Sequence, residues 1–269
     1  MRQRFTPEMN ESLESRALMA ANPLHAEVRK LAHDTVGSPS SQATIHASAT
    51  SLRSSLLGQY QFNGNGFDSS GKSSQFWLSN TKFSNGSLYL NGIYDFNNPD
   101  QNGYRARVNA DYLSFRKFTV AVTFKSDSSS TNPYETPLLV GGENDRWFVL
   151  KRNNEGKLAV RLNNHVYEYA ASSDTKIVTG KWTTVVCGID VDTKRLTAYM
   201  NGQKMIDVAL PSDFQFNVVN TPDEVSDRIW TFTNYSNGTT FKGYIDAFSY
   251  YNRKLTNQEM QKLSATGRR

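Results

Sequence analysis

The chain carries one cysteine, Cys187, in 269 residues. An intramolecular disulfide is therefore impossible, and a Cys-rich zinc site is excluded. Cys187 lies inside the apolar run WTTVVCGI and reads as a core residue. Histidine is almost as scarce: of four, His25, His33 and His46 fall near the N-terminus, leaving only His165 for the body. Histidine-based metal catalysis or a Ser/His/Asp arrangement has almost nothing to build on. No apolar stretch approaches the roughly 20 residues that a membrane-spanning helix requires. No run of Lys or Arg exceeds two residues. The net charge of +5 and pI ≈ 9.2 thus describe a mixed-charge surface rather than a nucleic-acid footprint.

The first 55 residues also lack Trp and Tyr and hold a single Phe. Residues 37–55 are mostly Ser, Ala and Thr, a composition that buries little and reads as a linker. Residues 1–36 have helical spacing and strong helix formers. They do not form an ordinary secretory signal, because Glu8, Glu11 and Glu14 precede a very short apolar patch. They resemble an atypical leader of bacterial extracellular proteins, through Phe5, Pro7, Leu13, Glu14, Arg16, Leu18 and Ala20. That resemblance implies an extracellular or cell-surface location; the alternative is a small amphipathic helix.

From Leu56 onward the chain is rich in what the N-terminus lacks. Aromatics reach 12% overall, and β-branched and aromatic residues favour strands. LLGQYQF alternates, with Leu56, Gly58, Tyr60 and Phe62 on one face, and FTVAVTF groups Phe118, Val120, Val122 and Phe124. Asn201-Gly202 between two alternating runs predicts a tight hairpin, and NNEG predicts another. Turn clusters every ten to fifteen residues predict an all-β sandwich over 56–266. One helix is expected near the end. Thr256 and Glu259 form a capping box, Leu255 and Met260 a hydrophobic staple, and Met260 and Leu263 face the body. Too short to stand alone, it should dock on the late strand GYIDAFSYY and close one end or edge of the sheets.

LLGQYQFNGNGFDSSGKSS, SLYLNG, FTVAVTFKSD, GKWTTVVCGIDVDTKRLTAYMNGQ and FKGYIDAFSYYNRKLTNQEMQKL occur in that order. Together they resemble a laminin-G-like domain of the concanavalin A-like lectin/glucanase superfamily, over residues 57–264. The resemblance implies a jelly roll of two curved antiparallel sheets. It also implies a calcium where the first loop meets the G-x-I-D strand, held by Asp68 and Asp246 with carbonyls near Asn63 and Asn65. The residues themselves leave a second reading open: Asp68 caps its own turn, and Asp246 pairs with a cation such as Arg253. Asp246 alternates with Phe248 and Tyr250 and is expected on their face, where a bare carboxylate would be costly.

Glycosidase relatives use paired carboxylates on one strand. Glu143 with Asp145, Asp190 with Asp192, and Glu224 with Asp227 lack the three-carboxylate pattern and read as solvated or turn residues. His165 lies near Tyr167 and Tyr169 but lacks the companions of a polysaccharide lyase. A sugar-binding face fits better. If Leu150 pairs with Leu158 across NNEG, Phe148 faces Val160 on the core side and Trp147 lies beside Arg161 on the other. Tyr104, Arg107 and Tyr235, in or beside loops, complete the candidates. The expected function is a non-catalytic, lectin-like module for a polysaccharide or glycan. The alternatives are a hydrolase or lyase of the same superfamily and a protein-adhesion module.

Overall fold

A computed structural model describes residues 50–79, 81–93, 105–109, 116–127, 136–143, 146–164, 168–214, 229–232 and 239–267. The expected leader and most of the expected linker lie outside the described residues. So do Tyr104, Asp145, His165, Tyr167, Glu224, Asp227 and Tyr235.

The strands run, in chain order, β1 (Leu56–Tyr60), β2 (Trp77–Ser79), β3 (Lys82–Ser84), β4 (Ser87–Ile93) and β5 (Arg105–Asn109). Then come β6 (Lys117–Ser126), β7 (Thr136–Glu143), β8 (Arg146–Arg152), β9 (Lys157–Asn164) and β10 (Glu168–Lys176). The last five are β11 (Trp182–Asp190), β12 (Arg195–Met200), β13 (Gln203–Ala209), β14 (Ile229–Thr231) and β15 (Thr239–Tyr251), followed by the helix Asn257–Ala265. They build two antiparallel sheets. One, of eight strands, is ordered β13-β12-β11-β6-β15-β4-β3, with β1 also paired to β15. The other, of seven, is ordered β10-β9-β8-β7-β14-β5-β2.

Strand periodicity decides which side chains meet between the sheets. β6 sends Phe118, Val120, Val122 and Phe124 inward, and β8 sends Phe148 and Leu150. Trp230 of β14 is fully buried and crosses the gap. Its ring centroid lies 5.7 Å from Phe118, 6.0 Å from Phe248 and 6.2 Å from Tyr250 on the eight-stranded sheet. Room for the indole comes from Gly141 on the neighbouring β7: a Cβ there would sit 1.9 Å from the ring. A second group, Tyr60, Phe62, Phe76, Phe232 and Phe248, continues the core through stacked and edge-on contacts.

Both expected hairpins form. Asn201 and Gly202 take positive φ (50° and 84°), the two-residue turn joining β12 to β13. Asn153 anchors the NNEG turn, its Oδ1 accepting from the N–H groups of Glu155 and Lys157. The β8–β9 register differs from the expected one by two residues. Leu150 pairs with Val160, Phe148 with Leu162, Trp147 with Asn163 and Val149 with Arg161. An offset of two preserves parity, so Trp147 and Arg161 still share a face, as diagonal neighbours.

The helix is capped as its sequence demands: Thr256 accepts from the Glu259 N–H, and Glu259 accepts from the Thr256 N–H. It does not close an end of the sandwich. It lies on the outward face of the eight-stranded sheet, over β11, β12 and β13. Small residues make the seat. A Cβ at Gly188 would sit 2.9 Å from Met260 Sδ, and one at Gly202 would meet Ala265. Thr119 Oγ1 pins the approach by donating to the Arg253 carbonyl and accepting from the Leu255 N–H. Strand β6 is buried along both faces except at Lys117 and Lys125, which are half-buried.

Two outcomes follow. Gly141→Ala drives a methyl into the Trp230 ring and should cost about 3 kcal/mol or more, read by urea unfolding; part of the loss returns in Gly141→Ala/Trp230→Phe. Burial alone pushes the Glu259 carboxyl up, but the Arg253 fork (2.8 and 2.9 Å) and the Thr256 N–H hold it below its ordinary value. Its contribution is therefore present above the unfolded carboxyl value, about 4.3, and lost as pH falls below it. Glu259→Gln should cost about 1–3 kcal/mol near neutrality, and the gap to wild type should close in acid.

Candidate functional site: the first loop, the Asp246 bulge and an outward sheet face

The loop after β1 closes a sheet edge. Gln59 presents its N–H and carbonyl away from β15, where a further strand would pair. Asp68 and Ser69 stand in for that strand: Asp68 Oδ1 accepts from the Gln59 N–H at 2.7 Å, and Ser69 donates its N–H and hydroxyl to the Gln59 carbonyl. The same carboxylate gathers the turn that follows. It accepts from the N–H groups of Ser70, Lys72 and Ser73 and from the Ser70 hydroxyl. Tyr60 then ties the turn to the core, its hydroxyl donating to the Ser74 carbonyl at 2.8 Å. Ser73 Oγ lies 2.7 Å from the Tyr250 hydroxyl and 2.9 Å from that of Tyr60. Burial pushes the Tyr60 phenol far above its usual range.

Asp246 does not share the face of Phe248 and Tyr250. The β15–β6 register runs Ile245↔Phe124 and then Ala247↔Thr123, so Asp246 is an extra residue in a β-bulge. The bulge reverses the parity expected from simple alternation. Ile245, Phe248 and Tyr250 are buried in the core while Asp246 is half-buried on the outward side. It marks the point where β15 changes neighbours, from β4 (through Ile245) to β1 (from Phe248). Ser87 Oγ donates to Asp246 Oδ1 at 3.0 Å. Arg253, expected as a candidate cation for it, forks onto Glu259.

The outward face of the seven-stranded sheet collects the binding candidates. One unbroken cross-strand row reads Trp77, Arg107, Thr231, Val140, Val149, Arg161, Ala170. The adjacent row reads Asn109, Ile229, Gly142, Trp147, Asn163, Glu168. Arg107, expected beside a loop, is the middle residue of β5. Register thus places Arg107, Trp147 and Arg161 on one face; Tyr104 and Tyr235 lie outside the described residues. Trp77 was not singled out from sequence. It is 46% exposed, one of three large exposed hydrophobics among the described residues. Its signal was present: in QFWLSN, Phe76 and Leu78 hold the core phase, which turns the Trp between them outward. Arg161 and Asn163 are half-buried at the far side of the same face.

The family model described as the concanavalin A-like lectin/glucanases superfamily matches residues 100–261. The chain belongs to this superfamily. Its laminin-G-like fold is also that of domain 4 of AbnA, an extracellular arabinanase from Geobacillus stearothermophilus solved with arabinotriose. The two share 19% identity and a TM-score of 0.62, over 78% of this chain and 98% of that one. The botulinum neurotoxin type C structure that concerns ganglioside-dependent cell entry has a TM-score of 0.61 at 12% identity, over 80% of this chain and 51% of that one. The chain therefore spans about half of that toxin structure. Among curated protein sequences none matches.

Superfamily membership brings two chemistries to test against these residues. The first is calcium, which takes about 6 to 8 oxygen ligands. As arranged, Asp68 does not fit as one of them: both its oxygens face N–H and hydroxyl donors. The Asn65 side chain holds its own turn, its Oδ1 accepting from the Phe67 N–H, while the oxygens expected as ligands near Asn63 and Asn65 are backbone carbonyls. Asp68 lies across β1 from β15, bridged to Tyr60, which in turn pairs with Phe248. Two strand spacings, roughly 10 Å, thus separate the Asp68 backbone from β15. The second chemistry is glycosidic hydrolysis. Asp190 Oδ1 accepts from the N–H groups of Asp192 and Thr193, and Asp192 pairs with Arg116 and Lys117 at 2.5 and 2.9 Å. These carboxylates hold their own turn. Glu143, at the end of β7, stands opposite Arg146 in the backbone register of the β7–β8 ladder.

Asp68→Ala should destabilise the domain by about 2–4 kcal/mol, because four N–H donors lose their acceptor. The loss should be equal in saturating calcium and in chelator, read as melting temperature. A loss confined to calcium-containing buffer would instead make Asp68 a metal ligand.

Proposed function

We propose that this protein is a non-catalytic carbohydrate-binding module that acts outside the cell. The outward face of the seven-stranded sheet carries the reading. It sets an exposed indole, Trp77, at one edge and the half-buried Arg161 and Asn163 toward the other, with Arg107 and Trp147 placed by register in the same two rows and the buried Thr231 and Val140 between. Sugar rings present flat apolar faces and equatorial hydroxyls. A planar aromatic takes the first, and guanidinium and amide donors take the second. The arabinotriose complex of domain 4 of AbnA and the ganglioside-dependent entry of the neurotoxin are properties of those proteins. They support a glycan as the ligand class and supply a probe. The leader-like N-terminus supports export.

A glycan array followed by titration of arabino-oligosaccharides tests the reading. Wild type should bind, and Trp77→Ala and Arg161→Ala should each weaken binding tenfold or more. The Trp77→Ala change should move stability by less than about 1 kcal/mol, the size usual for exposed sites. Binding that both variants retain in full would remove this face as the site. Release of reducing ends or unsaturated sugars from the polysaccharides on the array would replace a binding module with an enzyme.

A further inference from the structure

The opposite side of the sandwich carries an aromatic–cationic ladder that the proposed glycan face does not use. On the outward face of the eight-stranded sheet, β11, β6, β15, β4 and β3 align Trp182, Lys125, Tyr244, Tyr89 and Lys82 in direct cross-strand register. Four strand spacings make the row about 19 Å long. Lys125 Nζ lies 5.3 Å from the Trp182 ring centroid and 4.6 Å from that of Tyr244. Tyr244 and Tyr89 touch at 5.0 Å with their planes at 46°. Lys242, two residues from Tyr244, adds an exposed cation in the next row.

The helix does not extend over this row. It sits over β11–β13, and its trailing Gly267 packs on Thr184 and Thr123, the pair immediately above Trp182 and Lys125. The three rings and Lys125 are half-buried, and Lys82 is exposed. Two carboxylates border the ladder. Asp127 follows β6, its N–H donating to the Lys242 carbonyl, and Asp246 accepts from Ser87. Neither stands in the row itself.

We infer that this ladder is a second binding site, for a linear polysaccharide bearing carboxylates, such as a chain of uronic acids. Ring faces stack on Trp182, Tyr244 and Tyr89, while the carboxylates meet Lys125 and Lys82. The regular strand spacing suits a repeating polymer better than a single small anion. A lysine held between aromatic rings is also pre-positioned, so little side-chain freedom is lost when an anion arrives. The site stands apart from the proposed glycan face, since the two sheets turn their outward faces in opposite directions.

Affinity electrophoresis in polygalacturonate, with neutral arabinan as the parallel gel, tests it. Wild type should be retarded by polygalacturonate. Lys82→Gln/Lys125→Gln and Tyr244→Ala should each lose tenfold or more of that affinity. Lys176→Gln/Lys262→Gln removes the same charge elsewhere and should leave retardation unchanged, as should Trp77→Ala. Tyr244→Phe, which keeps the ring, should bind as wild type and guards against a folding defect. No retardation of wild type, or equal loss in both lysine pairs, would overturn the site and leave only general charge attraction. Loss on Trp77→Ala with the ladder variants unaffected would place the anionic polymer on the other sheet. Failure of the neutral gel alone bears on the proposed glycan face and not on the ladder.

Discussion

The sandwich depends on one indole resting over a residue without a side chain. Trp230 fills the gap between the sheets only because Gly141, its neighbour on β7, leaves that space open. From that contact the phase of both sheets follows. With Trp230 inward, Thr231 and Ile229 take the other face, and register carries the same assignment to β5, β7, β8 and β9. A slip of one residue on any of these strands would put Arg161 or Arg107 into the aromatic core and Leu162 or Val108 into water. The outward rows are therefore consequences of core packing, and their functional residues are held by it.

The bulge at Asp246 solves a different problem. Strand β15 has to serve two neighbours on one edge, β4 for its first half and β1 for its second. An extra residue increases local twist and bends the strand, and the change of partner falls where it sits. A carboxylate suits the spot because the bulge turns it outward, against the Ser87 hydroxyl. The first loop meets the complementary need. Among the described residues β1 has β15 alone as a partner strand, and unpaired polar groups on its far edge would be a pairing hazard. Asp68 and Ser69 occupy those groups at Gln59, so a side chain and a turn replace a strand.

Most of the fold was legible in the sequence, because its signals are local. Alternation in FTVAVTF, the Asn201-Gly202 turn and the Thr256/Glu259 box each depend on a few adjacent residues. What escaped was set at a distance. The face of Asp246 depends on a bulge created by the junction of three other strands, which simple period-two reasoning cannot contain. The helix was expected at an end or edge of the sheets, and it does reach the edge strand β13, but nothing in its own nine residues reveals that Gly188 and Gly202 clear a seat on the sheet face. Trp77 was missed for a similar reason: β2 is three residues long, too short to display a period by itself. Arg161 and Trp147 were found because the Asn153-to-Gly156 turn fixed their parity even though it did not fix their register.

The same parity argument bears on why the two outward faces differ. On the eight-stranded sheet the outward residues of β6 and β11 change character along their length. Thr119, Ala121, Thr123, Thr184, Val186 and Gly188 are short and buried; Met260 of the helix seats on Gly188, and Gly267 behind the helix packs on Thr184 and Thr123. At the other end of the same strands stand Lys125 and Trp182, too large to lie under a helix. The boundary falls where Gly267 meets Thr184 and Thr123. Side-chain size thus divides one sheet face into a half packed under the helix and its trailing residues and a half where the half-buried Lys125 and Trp182 stand beyond it. The seven-stranded sheet carries no such run of small outward residues across its central strands, where Val140, Val149 and Arg161 stand in one row. Its outward side is instead closed at the centre, where Thr231 and Val140 are buried, and opens at Trp77, with Arg161 and Asn163 half-buried toward the far side.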